Sequence, residues 1–159
     1  MVDPNGIFMW RRIDARLTTS GQPAEAQLAD IGALGVTHVL NLGLHTHEKA
    51  LADEAGSLRA LGMEYIHIPV DFDNPEEADY ERFCAEMRGL EGKTIHVHCI
   101  VNMRVSAFLY RWHRDEMGMP EAEAREIMER VWRPGGAWAR FIGRDAAVGL
   151  PHRIAGRDY

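Results

Sequence analysis

One stretch decides how this chain folds: Thr94-Ile-His-Val-His-Cys-Ile-Val-Asn-Met-Arg-Val-Ser-Ala-Phe108. Its β-branched first half predicts a strand, and the residues from Arg104 onward predict a helix. Cys99 and Arg104 therefore lie in a turn at the carboxyl end of a strand, where open α/β sheets bind ligands. Free N–H groups at a helix N-terminus attract an anion, and the helix dipole and an arginine both stabilise a thiolate. The pattern predicts a cysteine nucleophile beside an oxyanion or phosphate pocket.

The composition is that of a globular protein. The 159 residues have a formal net charge of −6, which disfavours a nucleic-acid or membrane-surface binder. The length predicts a single domain over residues 1–159. Two cysteines, Cys84 and Cys99, are too few for a disulfide framework. Since Met1–Arg12 has no apolar run typical of a signal peptide, we expect a cytoplasmic protein with no nucleic-acid and no membrane partner.

Strand and helix patterns alternate along the chain. Short extended segments are predicted over residues 7–13, 16–19, 36–42, 63–70 and 94–98. Helices are predicted over residues 23–34, 47–61, 75–90, 104–117, 120–132 and 137 to about 148. Segments of helical length between strands indicate an α/β fold with a mostly parallel central sheet, helices on both faces and a helical C-terminal third.

Arg104 occupies the end of its helix that electrostatics disfavours, because cations are stabilised near the C-terminus. A bound anion would resolve the conflict, since the guanidinium fork can grip two phosphate oxygens at once. The alternative is an ion pair with one of the many surface carboxylates. The position of Arg104 in the turn favours a bound anion over a surface ion pair.

The two cysteines differ in their surroundings. A free cysteine is most often a small buried hydrophobe, and Cys84 fits that description between Phe83 and Met87 in an amphipathic helix. Cys99 instead ends a strand, follows a histidine and precedes an arginine at a helix start. This context favours a functional role for Cys99.

The histidines of this strand have weaker claims to a functional role. His98 could position the thiolate, whereas His96 is better explained as a sheet histidine bonded to backbone. Alternation along the strand sends His96 and His98 to one face and Cys99 to the other. We therefore expect no zinc site and no cofactor, and the pair of His45 and His47 in a loop is an equally weak metal signal.

The acid candidates lie in Val70-Asp-Phe-Asp-Asn-Pro75. A carboxylic acid on a loop after a neighbouring strand can protonate a leaving oxygen. Asp71 directly follows the strand and is the first candidate. Helix capping and loop solvation explain Asp73 or Asn74 equally well.

The turn from His98 and Cys99 to Arg104 resembles the phosphate-binding loop of the cysteine-dependent protein tyrosine and dual-specificity phosphatases. Other segments are similar to a bacterial phosphatase-like subfamily: Ser20-Gly-Gln-Pro23, Gly35-Val-Thr-His-Val-Leu-Asn-Leu42, Ile68-Pro-Val-Asp71 and the pair Trp132 and Trp138. The resemblance covers about residues 7–143 and implies a tyrosine-phosphatase-like fold.

In that family the cysteine attacks phosphorus, the arginine clamps the equatorial oxygens and an aspartate protonates the leaving group. The resemblance implies that Cys99 is the nucleophile, Arg104 the clamp and Asp71 the acid. The other residues it implies line the phosphate site (Ile100, Val101, Asn102, Met103) or support it (His98, Ser106, Asp73).

The loop departs from the family pattern in three ways. It has four residues between Cys99 and Arg104, where the family has five. It contains no glycine, and the β-branched Ile100 and Val101 resist the positive φ that an anion cradle needs, which Asn tolerates. Val105 stands where the family places Ser or Thr. Losing one N–H donor alone could cost about 2.7–4 kcal/mol, or roughly a hundredfold to a thousandfold in rate.

Three functions remain open at this point. The first is an impaired phosphatase acting on a phosphorylated protein or a small phosphate ester. The second is a non-catalytic reader of phosphate or phosphopeptides. The third is rhodanese-like sulfur transfer through Cys99; a purely structural or redox role is the fallback, although Cys84 has no obvious route to Cys99.

Overall fold

The computed structural model describes residues 2–143, and a five-stranded sheet lies at its centre. The strands are β1 (Arg11–Arg12), β2 (Leu17–Ser20), β3 (His38–Asn41), β4 (Glu64–His67) and β5 (Ile95–His98). Their spatial order is β1-β2-β5-β3-β4. β1 pairs antiparallel with β2, and the other three pairings are parallel. The prediction of a mostly parallel central sheet is confirmed.

Helices cover both faces of this sheet. A 3₁₀ turn at Glu25–Gln27 leads into α1 (Leu28–Gly32), and the longer elements are α2 (Glu54–Ala60), α3 (Glu77–Gly89), α4 (Met103–Arg111), α5 (Glu121–Glu129) and α6 (Gly136–Phe141). Neighbouring residues of β3 point to opposite faces, with Val39 in the smaller apolar cluster and Leu40 in the larger. Buried residues of α1 and α2 join Val39, whereas those of α3 to α6 join Leu40. Within residues 2–143, no helix combines the length and hydropathy needed to cross a membrane.

The helix predicted over residues 47–61 is wrong in its first half. α2 begins at Glu54, because the Asp53 side chain caps it by accepting a hydrogen bond from the Gly56 N–H at 3.0 Å. Aspartate competes with the helical backbone in a helix interior but is a strong N-cap. The residues before it form turns instead, such as the bond from the Ala50 N–H to the His47 carbonyl.

The C-terminal third is helical, with two differences from the prediction. The helix predicted over residues 104–117 is α-helical only to Arg111 and continues as a π-helix over Trp112–Glu116. The Met117 N–H bonds the Trp112 carbonyl five residues earlier, which is the wider π turn. The helix predicted from residue 137 is observed at Gly136–Phe141, and its predicted part beyond residue 143 lies outside the described residues.

Candidate active site

The loop from Cys99 to α4 follows the central strand β5. It turns at Asn102, which precedes the first residue of α4 and has a left-handed conformation with φ of +67°. Within residues 2–143, no main-chain acceptor is found for the backbone N–H groups of Ile100, Val101, Asn102 or Met103. Unbonded amides at the start of a helix are the groups with which proteins bind anions.

The carbonyl groups of this loop are bonded to its neighbours. The Cys99 carbonyl accepts a hydrogen bond from His98 Nδ1 at 3.1 Å, and the Ile100 carbonyl accepts one from the Gln22 N–H at 3.0 Å. A Cβ on Gly21 would lie 2.6 Å from the Ile100 oxygen, so no side chain fits there. The segment Ser20-Gly-Gln-Pro23 therefore packs directly against the cysteine loop.

Asn102 ties the loop to the N-terminal segment. Its side chain is fully buried, and Nδ2 donates to the Met9 carbonyl at 2.9 Å and to Thr19 Oγ1 at 3.0 Å. Met9 itself has a positive φ of 56°. Sequence reasoning did not find the role of Met9, because no local pattern marks a contact between residues so far apart in the chain.

The Arg104 side chain is buried and only partly bonded. It is 1% exposed, and Nη1 donates to the Val70 carbonyl at 2.9 Å. Nε and Nη2 have no hydrogen-bond partner among residues 2–143. The guanidinium lies 5.7 Å from the centre of the Phe72 ring. This burial argues against the alternative of a surface ion pair. A buried guanidinium with two unpaired nitrogens is costly unless an anion binds to them.

The loop that carries the acid candidates is held on both sides of Asp71. The Val70 carbonyl accepts from Arg104, and the Phe72 carbonyl accepts from Trp138 Nε1 at 2.6 Å. The Asp71 side chain is exposed, and its Oδ1 accepts a hydrogen bond from the Asp73 N–H at 2.9 Å. The structure thus brings the Asp71 segment next to Arg104 through the backbone, while its carboxylate also closes a turn within its own loop.

His98 contacts the cysteine loop through the backbone. Its side chain lies on the face of the sheet opposite to the apolar cluster that contains Cys99, and its Nε2 lies 2.6 Å from Glu54 Oε2, with both side chains almost completely buried. Glu54 Oε1 accepts a second bond from Gln22 Nε2 at 3.1 Å. Burial raises the pKa of Glu54, but the charge of His98 and the bonds from His98 and Gln22 outweigh it, so that the pKa is lowered. Glu54 carries no sequence signal, since the helix predicted over residues 47–61 placed it in mid-helix.

His96 is a buried histidine bonded to hydroxyl groups, whereas we predicted backbone partners. Thr18 Oγ1 lies 2.8 Å from Nδ1, and Ser20 Oγ lies 2.8 Å from Nε2. The Ser20 hydroxyl donates to the Gly21 carbonyl, so it accepts from Nε2, and Thr18 donates to Nδ1. Burial, aided by the charge of His98, holds the pKa of His96 well below its usual value. His96 is therefore neutral.

The remaining candidates lie away from these contacts. The Ser106 hydroxyl donates to the Met103 carbonyl at 3.0 Å within its own helix. Cys84 is buried in α3, and burial raises the pKa of its thiol. His45 stacks on His67 with ring centres 3.8 Å apart, while His47 Nδ1 accepts a bond from the Lys49 N–H. In the part of the chain that the structure describes, no three His, Cys, Asp or Glu side chains are grouped to hold a metal ion.

Known structures share this architecture. No protein-family model matches the sequence. The crystal structure of a phosphatase-like protein (DUF442) from Shewanella putrefaciens CN-32 is 31% identical, with a TM-score of 0.76, and the match covers 86% of this chain and 90% of that one. The crystal structure of Tk-PTP in the active form is 25% identical with a TM-score of 0.63, over 77% of this chain and 83% of that one. The tyrosine-phosphatase-like fold is thereby confirmed.

A curated relative is much longer than this chain. The beta-lactamase hydrolase-like protein of Agrobacterium fabrum (strain C58 / ATCC 33970) is 33% identical over 91 residues. The match covers 55% of this chain but 21% of that protein. The chain therefore spans about a fifth of the length of this relative.

Proposed function

This chain belongs to the DUF442 family of phosphatase-like proteins, and from that premise we propose an oxyanion-binding domain with very weak or no phosphate-monoester hydrolase activity. In this proposal Cys99 is the nucleophile, Arg104 the clamp and Asp71 the acid. One observation carries it: the buried Arg104 guanidinium has two nitrogens without an acceptor in residues 2–143. A buried cation needs a partner of opposite charge, and a guanidinium group is well suited to bind an oxyanion.

Anion binding would use groups that are already in place. Nε and Nη2 of Arg104 form one edge of the guanidinium and can bind two oxygens of a tetrahedral anion. Nη1 keeps its bond to the Val70 carbonyl at the same time. The amides of residues 100–103 and the N-terminus of α4 supply further donors and a favourable dipole.

The chemistry follows from these positions. The Cys99 thiolate attacks phosphorus, so that an S–P bond forms while the ester P–O bond breaks. Asp71 gives its proton to the leaving oxygen. Water then attacks phosphorus and gives a proton to the Asp71 carboxylate, while the S–P bond breaks, so that phosphate is released and the thiolate is restored. Substrates of this reaction would be a phosphorylated protein or a small phosphate ester.

Two features support slow turnover. The loop has one residue fewer than the family pattern, and each missing donor costs about a hundredfold to a thousandfold in rate. In addition, Cys99 is 0% exposed and its neighbours Ile100 and Val101 are 2% and 7% exposed. A phosphoryl group must displace part of this covering before it reaches the sulfur.

Loop length can be tested directly. We expect a glycine inserted after Asn102 to raise turnover of an aryl phosphate, and Cys99→Ser in the same background to abolish it. Cys84→Ser is the matched control and should leave turnover unchanged. Ordinary phosphatase rates in the native chain would contradict the proposal of weak activity.

Anion binding is tested separately from turnover. Calorimetry with phosphate, sulfate and vanadate should show binding that Arg104→Lys weakens at least tenfold, because lysine lacks the fork. A phosphopeptide that binds without being hydrolysed would indicate a non-catalytic reader. If none of these anions binds in the millimolar range, the proposed pocket does not exist.

Sulfur transfer is a second candidate, favoured by the state of Asp71. Its carboxylate is exposed and accepts a bond from the Asp73 N–H, whereas transfer from thiosulfate needs no general acid. In that reaction the Cys99 thiolate attacks the outer sulfur, a new S–S bond forms, and the old one breaks as sulfite leaves with its electron pair. A thiol acceptor then takes the outer sulfur from the Cys99 persulfide.

A persulfide on the Cys99 peptide after incubation with thiosulfate, detected by mass spectrometry, would support this candidate. Turnover of thiosulfate with a thiol acceptor should be lost in Cys99→Ser and kept in Cys84→Ser. Absence of both the adduct and the turnover would exclude sulfur transfer.

A further inference from the structure

Both ring nitrogens of His98 face oxygens that accept hydrogen bonds. Nδ1 lies 3.1 Å from the Cys99 carbonyl oxygen, and Nε2 lies 2.6 Å from Glu54 Oε2. A carbonyl oxygen cannot donate, and neither can an ionised carboxylate. The lowered pKa of Glu54 is consistent with an ionised carboxylate. Both contacts are therefore hydrogen bonds only when each ring nitrogen carries a proton, in which case the ring joins Glu54 to the main chain of Cys99.

We propose that Glu54 is a positioning residue for Cys99, which it serves by holding His98 doubly protonated against the Cys99 carbonyl. This inference rests on the proposed role of Cys99 as the nucleophile. A positive charge one residue away favours the thiolate over the thiol. Arg104 then acts on the cysteine loop by binding the anion, and His98 acts on it through its hydrogen bond to the Cys99 carbonyl.

Gln22 links the pair of His98 and Glu54 to the cysteine loop. Its side chain donates to Glu54 Oε1 at 3.1 Å, and its backbone N–H donates to the Ile100 carbonyl at 3.0 Å. A single residue thus holds both the counter-ion of His98 and the loop that His98 contacts. This gives the segment Ser20-Gly-Gln-Pro23 a function beyond turn formation.

The other titratable groups near this pair do not compete with it. His96 lies on the same strand with its ring 6.3 Å from that of His98, and it is neutral. Burial raises the pKa of Tyr65 and lowers that of His67, so these two side chains of β4 are uncharged near pH 7. His45, in the loop between β3 and α2, is exposed. Its electrostatic effect lowers the pKa of Glu54 and so favours the ionised carboxylate.

Without Glu54 the imidazolium would lose its proton. An isolated cation in a buried site is costly, so the ring would become neutral and could donate to only one of its two partners. The thiolate would lose its neighbouring positive charge, and Cys99 would react more slowly at pH values where most of the thiol is protonated. At high pH, where every thiol is ionised, the difference should vanish.

The protonation state can be measured in the native protein. Long-range ¹⁵N–¹H spectra of histidine-labelled protein should show protons on both nitrogens of His98 at pH 7, and a proton on Nε2 alone for His96. A single proton on His98 would overturn the inference. This measurement needs no variant and therefore stands even if substitutions at Glu54 prevent folding.

The effect on Cys99 can be measured by alkylation, followed peptide by peptide so that Cys84 is scored separately. We expect Glu54→Gln to react about tenfold more slowly than the native protein at pH 6.5 and at the same rate at pH 9. Glu48→Gln removes the same charge from an exposed site and should match the native protein throughout. Gln22→Ala should show a smaller loss with the same pH dependence, and Glu54→Asp should recover part of the rate.

An equal change in rate at every pH would mean that Glu54 only supports the fold, and would overturn the inference. Alkylation requires neither anion binding nor turnover. If the alkylation result is as expected while the native protein binds no oxyanion and transfers no sulfur, the proposed function fails and the role of Glu54 stands.

Discussion

Asn102 donates a hydrogen bond to the main-chain oxygen of Met9 over 2.9 Å, and both residues have a positive φ, 67° and 56°. Among residues 2–143 they are the non-glycine residues with this conformation. A left-handed conformation costs about 1–3 kcal/mol for each such residue. The bond therefore joins two strained positions, and it lies in the loop that carries Cys99. Backbone strain of this kind concentrates at functional sites.

The first prediction concerns this loop. Asn102→Ala should lower the free energy of unfolding by about 2–4 kcal/mol, because it removes two buried hydrogen bonds and places a Cβ-bearing residue that rarely adopts positive φ. Asn102→Gly loses the same bonds but tolerates the conformation, so we expect a loss of about 1–2 kcal/mol. Urea denaturation measures both. Equal losses would show that the left-handed conformation is not maintained.

The second prediction compares the effect of one substitution at Arg104 on protein stability with its effect on phosphate binding. Arg104→Met should raise the free energy of unfolding by about 1–2 kcal/mol in the absence of anions, since it removes a buried charge with two unpaired nitrogens. The same change should abolish the stabilisation by phosphate, which amounts to about 2.7 kcal/mol for the native protein at a phosphate concentration of 100 Kd. Thermal denaturation with and without phosphate measures both effects.

Arg88→Met is the control for this comparison, because that side chain is 65% exposed. It should change neither stability nor the response to phosphate by more than about 0.5 kcal/mol. A native protein that phosphate does not stabilise would contradict the anion site.

The third prediction compares two tryptophans that both pack against Phe72. Trp138→Phe removes the bond from Nε1 to the Phe72 carbonyl and replaces the indole with a smaller ring, which together should cost about 2–3 kcal/mol. Trp132→Phe removes an N–H that has no partner in residues 2–143 and should cost about 1 kcal/mol or less.

The rate of backbone hydrogen exchange around Asp71 gives a second comparison of Trp138→Phe with Trp132→Phe. We expect faster exchange at residues 71–73 in Trp138→Phe alone, since that bond holds the segment next to Asp71. Equal exchange in the two variants would show that the Trp138 bond does not hold the Asp71 loop.

The fourth prediction concerns pH. Burial holds the pKa of His96 well below its usual value of 6.5, so below pH 6.5 the unfolded chain binds a proton that the folded chain does not. Stability should therefore fall as the pH decreases below 6.5, by up to about 1.4 kcal/mol per pH unit for this group. His67 and His113, whose pKa values burial also lowers, act in the same direction.

His96→Gln keeps one donor and one acceptor but cannot titrate. It should lower stability at pH 8 and flatten the pH dependence between pH 6.5 and 5 by about one proton. Denaturation at several pH values decides this. An unchanged slope would show that His96 is not the group responsible. Glu54 has a lowered pKa, so its contribution is present above pH 4.5 and is lost only as the pH falls further.

Local sequence patterns were sufficient to predict the parallel sheet and the position of the cysteine loop at the end of a strand. Strand alternation, the β-branched run before Cys99 and the arginine after it depend on neighbours within a few residues, and they predicted the parallel sheet and the turn. The same alternation separates His98 from Cys99, whose side chains lie on opposite faces of the sheet. The cap at Asp53 is a local signal too, but the prediction of one helix over residues 47–61 does not use it.

The surroundings of the loop depend on tertiary structure alone. Met9, Glu54 and Trp138 reach the site from distant parts of the chain, and no spacing in the sequence connects them with Cys99 or Phe72. Their effect comes from burial: it leaves the Arg104 fork unpaired, pairs His98 with Glu54 and holds the backbone on both sides of Asp71. The sequence by itself determined which groups could do the chemistry, because residue type and local periodicity are local properties. Packing decided which of these groups are charged, bonded and held in place, because burial is a property of the whole fold.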